Sequence, residues 1–321
     1  MPLRVCIVGC GAIGGLFAGH LARLDELEVW AFDPAAEHVA AINRDGLRLT
    51  GRLDWTATVN ARSDAVEIPP CELGIVAAKG TATASAIAAT APVFRDAAVC
   101  SVQNGIGNEE IIAEYVPRVI RGVTLESGGV EAPGVIHVDA AGPTWIGPFE
   151  PQAASAAEID RLGSLLTRAG METRVLADAR GAQWTKVVFN AATNPLCALS
   201  GLTHGALCAF PPTAAVVAAL IDEAKAVAAA LGIAFDEDPA ELNERAARLN
   251  PDHKPSMLQD VLHRRRTEIA TLNGGIVDAG RRAGVHTPLH AAVAGLIEGL
   301  EHSWDAGDRG TAHSRRVEGE R

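Results

Sequence analysis

Short apolar runs alternate with stretches of helical periodicity over the first half of the chain. Leu3–Val8 is an apolar, β-branched run ending at Gly9, and Ala12–Leu24 follows with apolar positions at helical spacing. Glu28–Phe32 reads as a second strand ending at Asp33-Pro34, and Ala35–Asn43 as a helix. Gly46–Asn60 carries one or two β segments. Leu73–Ala77 is a third buried strand ending at Lys79-Gly80. Thr83–Pro92 is a helix, and Ala98–Val102 a fourth strand before the turn Gln103-Asn104-Gly105. This alternation predicts a parallel sheet with right-handed crossovers. Gly122–Pro148 is rich in Gly, Thr and Val. Its β segments, Val135–Val138 and Thr144–Ile146, are expected on the far side of the same sheet. Ala156–Ala169 reads as a helix and Glu172–Leu176 as a last strand.

Beyond about residue 178 the strand pattern nearly vanishes. Gln183–Leu199, Pro212–Leu231, Pro239–Leu249, Ser256–Ala283 and Pro288–Leu300 all show helical periodicity. The expected organisation is an α/β dinucleotide-binding domain at 1–178, with a Rossmann-type, mainly parallel sheet, then an all-helical substrate domain at 179–302. A polar tail at 303–321 is expected to be disordered.

Composition narrows the function. A chain of 321 residues, 48% hydrophobic, has enough apolar material for two cores. Its 28 basic and 39 acidic residues give a net charge of −11, which lacks the basic footprint of a nucleic-acid binder. The densest basic run, His263-Arg264-Arg265-Arg266, reads as a solvated or salt-bridged helix face. There is no signal-peptide pattern and no apolar stretch long enough for a bilayer, so a cytoplasmic location with no membrane partner is expected. The six cysteines form no Cys-x-x-Cys pair and no zinc-type cluster, so no metal site is expected.

The chemistry starts at Gly9-Cys10-Gly11-Ala12-Ile13-Gly14, a G-x-G-x-x-G between a strand and a helix. The first glycine permits the tight turn, the second lets the backbone approach a pyrophosphate, and the third lets helix and strand pack closely. The helix N-terminus then presents free N–H groups to the phosphates. Asp33, 19 residues after Gly14, is placed to accept hydrogen bonds from ribose hydroxyls and to repel a 2′-phosphate. No Lys or Arg follows it within ten residues, which favours NAD over NADP. The bland alternative is that Asp33 caps the next helix. Lys79 and Asn104 stand where strands end, the edge at which open α/β sheets bind ligands; each also suits an ordinary surface turn.

In the helical half, Lys186, Asn190 and Asn194 recur at four-residue spacing on an otherwise apolar helix. A solvated face would carry Glu, Arg and Lys; a lysine with two amides reads as the lining of a cleft. Ser256 with Gln259 matches a capping box, and Glu268 is spaced to pair with Arg264 or Arg265.

With these residues the chain resembles the ketopantoate reductase family, which includes D-2-hydroxy acid dehydrogenases. The resemblance runs from Val5 to about Pro288. It rests on the glycine loop, Lys79, Gln103-Asn104-Gly105, Lys186 to Leu196, Ser256 to Asp260, Arg265, Thr267-Glu268-Ile269 and Asn273-Gly274. It implies reduction of a small anionic 2-keto acid by NADH or NADPH in a cleft between the domains. Lys186 is then the general acid, with Glu268 holding the new hydroxyl. Asn190, Asn194 and Ser256 bind substrate oxygens. Asn104 and Lys79 line the cofactor side, Asn104 also facing substrate, and the backbone at Gly128 touches the cofactor.

Two departures matter. NADP-dependent members tend to carry a basic residue where Asp33-Pro34 stands, and some members carry an asparagine where His204 stands. The His204 position also suits a loop residue before a short helix. A β-hydroxy acid dehydrogenase and a silent NAD(P)-binding sensor are the competing readings, and intact Lys186 and Glu268 weigh against the sensor. The sequence does not set the oligomeric state; a homodimer is one assembly consistent with it.

Overall fold

The computed structural model describes residues 2–318, with side chains as far as residue 304. The chain divides into two compact units, Met1–Gln183 and Trp184–Arg321. The sequence reading divides it after 178. Residues up to Gln183 belong with the first unit because the Gln183 amide donates to Glu109 Oε1 at 2.7 Å and to Gly105 O at 3.4 Å.

The first unit contains β1 (Leu3–Val8), α1 (Ala12–Leu21), β2 (Leu27–Phe32), α2 (Ala36–Asp45), β3 (Leu47–Gly51), β4 (Trp55–Ala57) and β5 (Asn60–Arg62). It continues with β6 (Leu73–Val76), α3 (Thr83–Thr90), β7 (Ala98–Ser101), α4 (Asn108–Ala113) and β8 (Arg118–Thr124). Then come β9 (Ser127–Ala132), β10 (Val135–Ala140), β11 (Thr144–Pro148), α5 (Ala156–Arg168) and β12 (Thr173–Val175).

Eight strands form the main sheet in the order β12-β11-β8-β7-β6-β1-β2-β5. Neighbours from β5 to β8 run parallel; β11 runs antiparallel to β8, and β12 parallel to β11. The chain moves from β1 to one side through β2 and then returns to β6 on the other. The order therefore reverses at β1, and the crevice for a ligand opens beyond its carboxyl end. Alternate residues of β1 feed opposite faces: Val5 and Ile7 pack in the layer with Phe17, Ile159 and Leu162, while Cys6 and Val8 pack with Ile87, Phe94 and Ile112. Burial on both faces explains why β1 is a continuous apolar run.

One expectation is corrected. Val135–Val138 does not extend the main sheet; β9 and β10 join β3 and β4 in a separate four-stranded sheet, order β4-β3-β10-β9. Ile136 pairs with Leu49 in parallel register, and both meet α1. A Cβ on Gly15 would lie 2.8 Å from Ile136, and one on Gly19 2.6 Å from Leu49, so the small residues of α1 admit this sheet. The alternation of buried Ile136 and Val138 with exposed His137 and Asp139 suits a sheet with one wet face. Gly46–Asn60 also resolves further than expected, into β3, β4 and the start of β5.

The second unit holds most of α6 (Arg180–Ser200), then α7 (His204–Ala209), α8 (Pro211–Ala230), α9 (Pro239–Leu249), α10 (Ser256–Leu262), α11 (Asn273–Ala283) and α12 (Pro288–Glu318). The single helix expected over Ser256–Ala283 is broken. Arg264 takes a left-handed φ of +49°, and residues 263–272 form an irregular segment although Ile269 and Leu272 stay buried. The tail expected from 303 falls largely on residues whose side chains lie outside those described, and 319–321 lie outside them altogether. Among the described residues no helix is long and apolar enough to cross a membrane.

Pro195 sits inside α6 and has no N–H for the carbonyl of Ala191. Asn273, fully buried at the start of α11, supplies the missing donor: its Nδ2 lies 3.0 Å from Ala191 O and 3.1 Å from His290 Nδ1. Burial holds His290 below the ordinary histidine range, and its Nε2 bonds Leu220 O at 3.0 Å. A buried carbonyl left without a donor costs about 1–3 kcal/mol. Asn273→Ala is therefore expected to lower stability by about that amount or more. Much of the loss should return when Pro195→Ala is added, because an alanine there restores the helical N–H. Urea unfolding of the two single variants and the double variant checks this; strictly additive losses would refute the coupling.

Candidate active site

The glycine loop lies at the switch point of the sheet. Gly9 has φ +87°, and a Cβ there would stand 2.6 Å from Ala78 N, at the end of β6. A Cβ on Gly14 would fall 1.8 Å from Gly9 O, so only glycine lets α1 start so close to β1. A Cβ on Gly11 would meet nothing within 4 Å, leaving open space beside the middle of the loop. Gly11 is the N-cap of α1 and makes no side-chain cap bond, and no acidic residue occupies the first turn. Free N–H groups, open space and a positive helix end fit the pyrophosphate of a dinucleotide. Gly9, Cys10, Gly11, Ala12, Ile13 and Gly14 are thus together and suitably arranged.

Asp33 braces this loop. Its Oδ2 accepts from Cys10 N and its Oδ1 from Ala35 N, both at 2.9 Å. It is not the N-cap of α2, which is Ala35. Each oxygen retains a lone pair that can accept from a ribose hydroxyl. His38 acts from the other side: Gly134 N donates to its Nδ1 at 3.0 Å, so Nε2 carries the proton and donates to Cys10 O at 2.9 Å. Neither His38 nor Arg62 is singled out by the sequence pattern. Arg62 ends β5 opposite Phe32, with Glu67 3.1 Å away and Trp30 beneath its guanidinium. Pairing of β5 with β2 thus brings Arg62 next to Asp33 along the backbone, Asp33 N donating to Arg62 O at 3.1 Å, which the ten residues after Asp33 do not reveal.

Lys79 is exposed at the end of β6, and Asn104 is half-buried after β7. Gln103 joins their two turns, donating to Ala78 O at 2.8 Å and Thr83 Oγ1 at 2.7 Å, and Asn108 donates to Asn104 O at 3.0 Å. Gly128 lies on β9, beside α1, where a Cβ would come within 2.4 Å of His137 O.

In the second unit, Lys186, Asn190 and Asn194 follow one face of α6. Lys186 and Asn190 are half-buried, and Asn194 is buried with its Oδ1 accepting from Thr193 Oγ1 at 3.3 Å. Burial pulls the Lys186 ammonium down to about 8, against an upward push from the Glu268 carboxylate. Glu268 is 8% exposed, in the irregular segment between α10 and α11. The Glu268 carboxylate thus stands close enough to Lys186, the first residue of the stripe, to act on its charge, and the expected pairing of Glu268 with Arg264 or Arg265 gives way: Arg265 pairs with Asp260 at 3.1 Å. Ser256 is exposed in the first turn of α10; Pro255 is the N-cap, and the expected capping box is absent because Gln259 donates to Lys254 O instead. His204 opens α7 and is buried, its Nε2 2.8 Å from Asn243 Oδ1 and its ring edge-on to Phe189.

A strand–glycine loop–helix unit followed by a helical unit with a lysine and a carboxylate together defines the class of nicotinamide-dependent oxidoreductases. The comparisons narrow the class. Residues 5–151 match the model described as Ketopantoate reductase PanE/ApbA, and residues 178–301 its C-terminal counterpart. A 2-dehydropantoate 2-reductase of Pyrococcus abyssi is 32% identical over 300 residues, 93% of this chain and 98% of the relative. A crystal structure of a PanE/ApbA family ketopantoate reductase from Ralstonia eutropha JMP134 superposes with TM-score 0.85 at 30% identity, covering 94% of this chain and 99% of the other. A ternary structure of D-mandelate dehydrogenase with NADH and anilino(oxo)acetate also gives 0.85, at 25% identity, covering 94% and 100%. The chain belongs to the ketopantoate reductase family. It is an oxidoreductase of that type, and the match of both halves favours this family over the β-hydroxy acid dehydrogenases.

One further carboxyl stands near Gly128. Glu126, 7% exposed, has an Oε2 with no hydrogen-bond partner, and burial raises it to about 7 although Gly142 N–H favours its charged form. A carboxyl raised in the folded state penalises folding increasingly as pH climbs from its unfolded value, about 4.3, to about 7, with the full penalty above. Glu126→Gln is therefore expected to stabilise the protein at pH 8 by on the order of 2–3 kcal/mol and to change little at pH 4. Denaturant midpoints at the two pH values test this; an equal shift at both would contradict it.

Proposed function

We propose that the substrate is a small anionic 2-keto acid, 2-dehydropantoate or a branched or aromatic relative, and that Lys186 is the general acid of its reduction. The half-buried lysine beside Glu268 carries this reading. When bound at the glycine loop, a reduced nicotinamide supplies the hydride. As negative charge builds on the carbonyl oxygen, the Lys186 ammonium stabilises it and gives up its proton, then recovers one from solvent. A lysine near 8 is still mostly charged at neutral pH and yields its proton more readily than an ordinary one. Glu268 keeps the ammonium form populated and accepts a hydrogen bond from the product hydroxyl. Asn190, Asn194 and Ser256 supply amide and hydroxyl groups for the substrate carboxylate and hydroxyl oxygens. Lys79, Asn104 and the Gly128 backbone serve the nicotinamide half of the cofactor.

NAD is favoured over NADP. Asp33 repels a 2′-phosphate, and the nearby Arg62 is already engaged by Glu67 and Trp30. The NADH-bound mandelate dehydrogenase neighbour supports the same choice. Six free cysteines, five of them buried, suit a reducing cytoplasm.

Lys186→Ala should lower kcat by about 10²–10⁴ while NADH binding, read by fluorescence, survives; near-normal kcat would refute the role. In the intact protein kcat/KM should be full below about 8 and fall above it, because the protonated lysine is the active form. Glu268→Gln removes the upward push and should move that alkaline limb lower. NADH and NADPH, each assayed against 2-dehydropantoate, 2-ketoisovalerate, benzoylformate and pyruvate, identify the substrate and coenzyme. Asp33→Asn keeps an acceptor for the loop but removes the charge. It should shift the NADH-to-NADPH preference toward NADPH by roughly tenfold, about 1.4 kcal/mol. An unchanged ratio would leave Asp33 as a brace only.

A further inference from the structure

Glu268 lies where no regular element fixes it. It follows Arg264, at φ +49°, and precedes α11, so its placement depends on what grips residues 263–272. Thr271 and Leu272 donate to the Glu268 carbonyl, and on the N-terminal side a grip from outside the segment comes from Glu301 on α12. Its Oε1 accepts from Thr267 N at 2.8 Å and from Thr267 Oγ1 at 2.6 Å, and its Oε2 accepts from Arg266 Nη1 at 3.2 Å. Thr267 Oγ1 in turn accepts from Ile269 N at 3.3 Å. These bonds engage residues 266, 267 and 269, on both sides of Glu268. Glu301 is 6% exposed and Thr267 2% exposed. A carboxylate so buried is tolerated because several donors meet it, and it gives the segment a rigid anchor that an apolar side chain would lack.

We propose that Glu301 is a positioning residue for the reduction, holding the 266–269 segment so that the Glu268 carboxylate stands against Lys186. It touches neither substrate nor cofactor and acts through Thr267. The inference rests on the roles given to Lys186 and Glu268, so its test includes a variant of Glu268 itself.

Four variants separate the outcomes: Glu301→Ala, Glu301→Gln, Thr267→Val and Glu268→Gln, with the double variant Glu268→Gln/Glu301→Ala. Displacing a catalytic group by about an ångström costs roughly ten- to hundredfold in rate. Glu301→Ala should therefore lose about that much kcat, keep the KM for NADH, and move the alkaline limb of kcat/KM in the same direction as Glu268→Gln. Glu301→Gln keeps an acceptor for Thr267 and should recover most of kcat. The double variant should be no slower than Glu268→Gln alone. Wild-type kcat and limb in Glu301→Ala, with a slow Glu268→Gln, overturn the inference alone. So do losses that multiply in the double variant. Wild-type kcat in Glu268→Gln overturns the underlying assignment. If Glu301→Ala does not fold, Thr267→Val takes its place: a slowed variant with a displaced limb supports the proposal, and a wild-type profile defeats it.

Discussion

An ammonium group taken partly out of water loses hydration worth several kcal/mol, which a nearby opposite charge offsets, and Lys186 on α6 is subject to both effects. Burial weakens its grip on the proton, and Glu268 restores enough of that grip to keep it charged at neutral pH. For the acid role proposed for Lys186, neither influence alone suffices. An exposed lysine would hold its proton too firmly, and a buried lysine without a carboxylate would lose it too early. Three local features of the helical unit bear on this balance. Pro195 opens the helical ladder of α6, Asn273 closes the gap, and the irregular segment after α10 brings the carboxylate to the amine.

The first unit solves a different problem, that of offering backbone N–H groups to an anion without letting the loop collapse. Asp33 and His38 hold the two backbone polar groups of Cys10, one its N–H and the other its carbonyl. The imidazole must be neutral for this, since Gly134 can only donate to it. The loop thus reads its geometry from three places at once: the end of β2, the start of α2 and the turn between β9 and β10.

What the sequence made legible follows from the range of the interactions involved. The runs Leu3–Val8 and Leu73–Val76 are apolar because both faces are covered, and the glycine spacing is local steric logic, so strands and loop are readable without tertiary knowledge. The four-residue spacing of Lys186, Asn190 and Asn194 survives for the same reason. The separate sheet was not legible, because β3 pairs with β10 across a long stretch of chain and the choice depends on the small face of α1. The break after α10 was hidden because apolar positions continue through Ile269 and Leu272, while Glu301, which accepts hydrogen bonds from the irregular segment, lies on another helix. Arg62 beside Asp33 and the unpaired oxygen of Glu126 are likewise products of pairing and burial, which periodicity does not encode.

The clasp on α1 has a consequence for association. With Gly14 against β1, and Gly15 and Gly19 against Ile136 and Leu49, this helix has little freedom to shift, and its first turn is fixed before any nucleotide arrives. The entropy of ordering the phosphate cradle is thus spent during folding and not at each encounter. A cofactor that enters and leaves once per turnover meets a rigid socket, and its binding free energy remains available for orienting the nicotinamide.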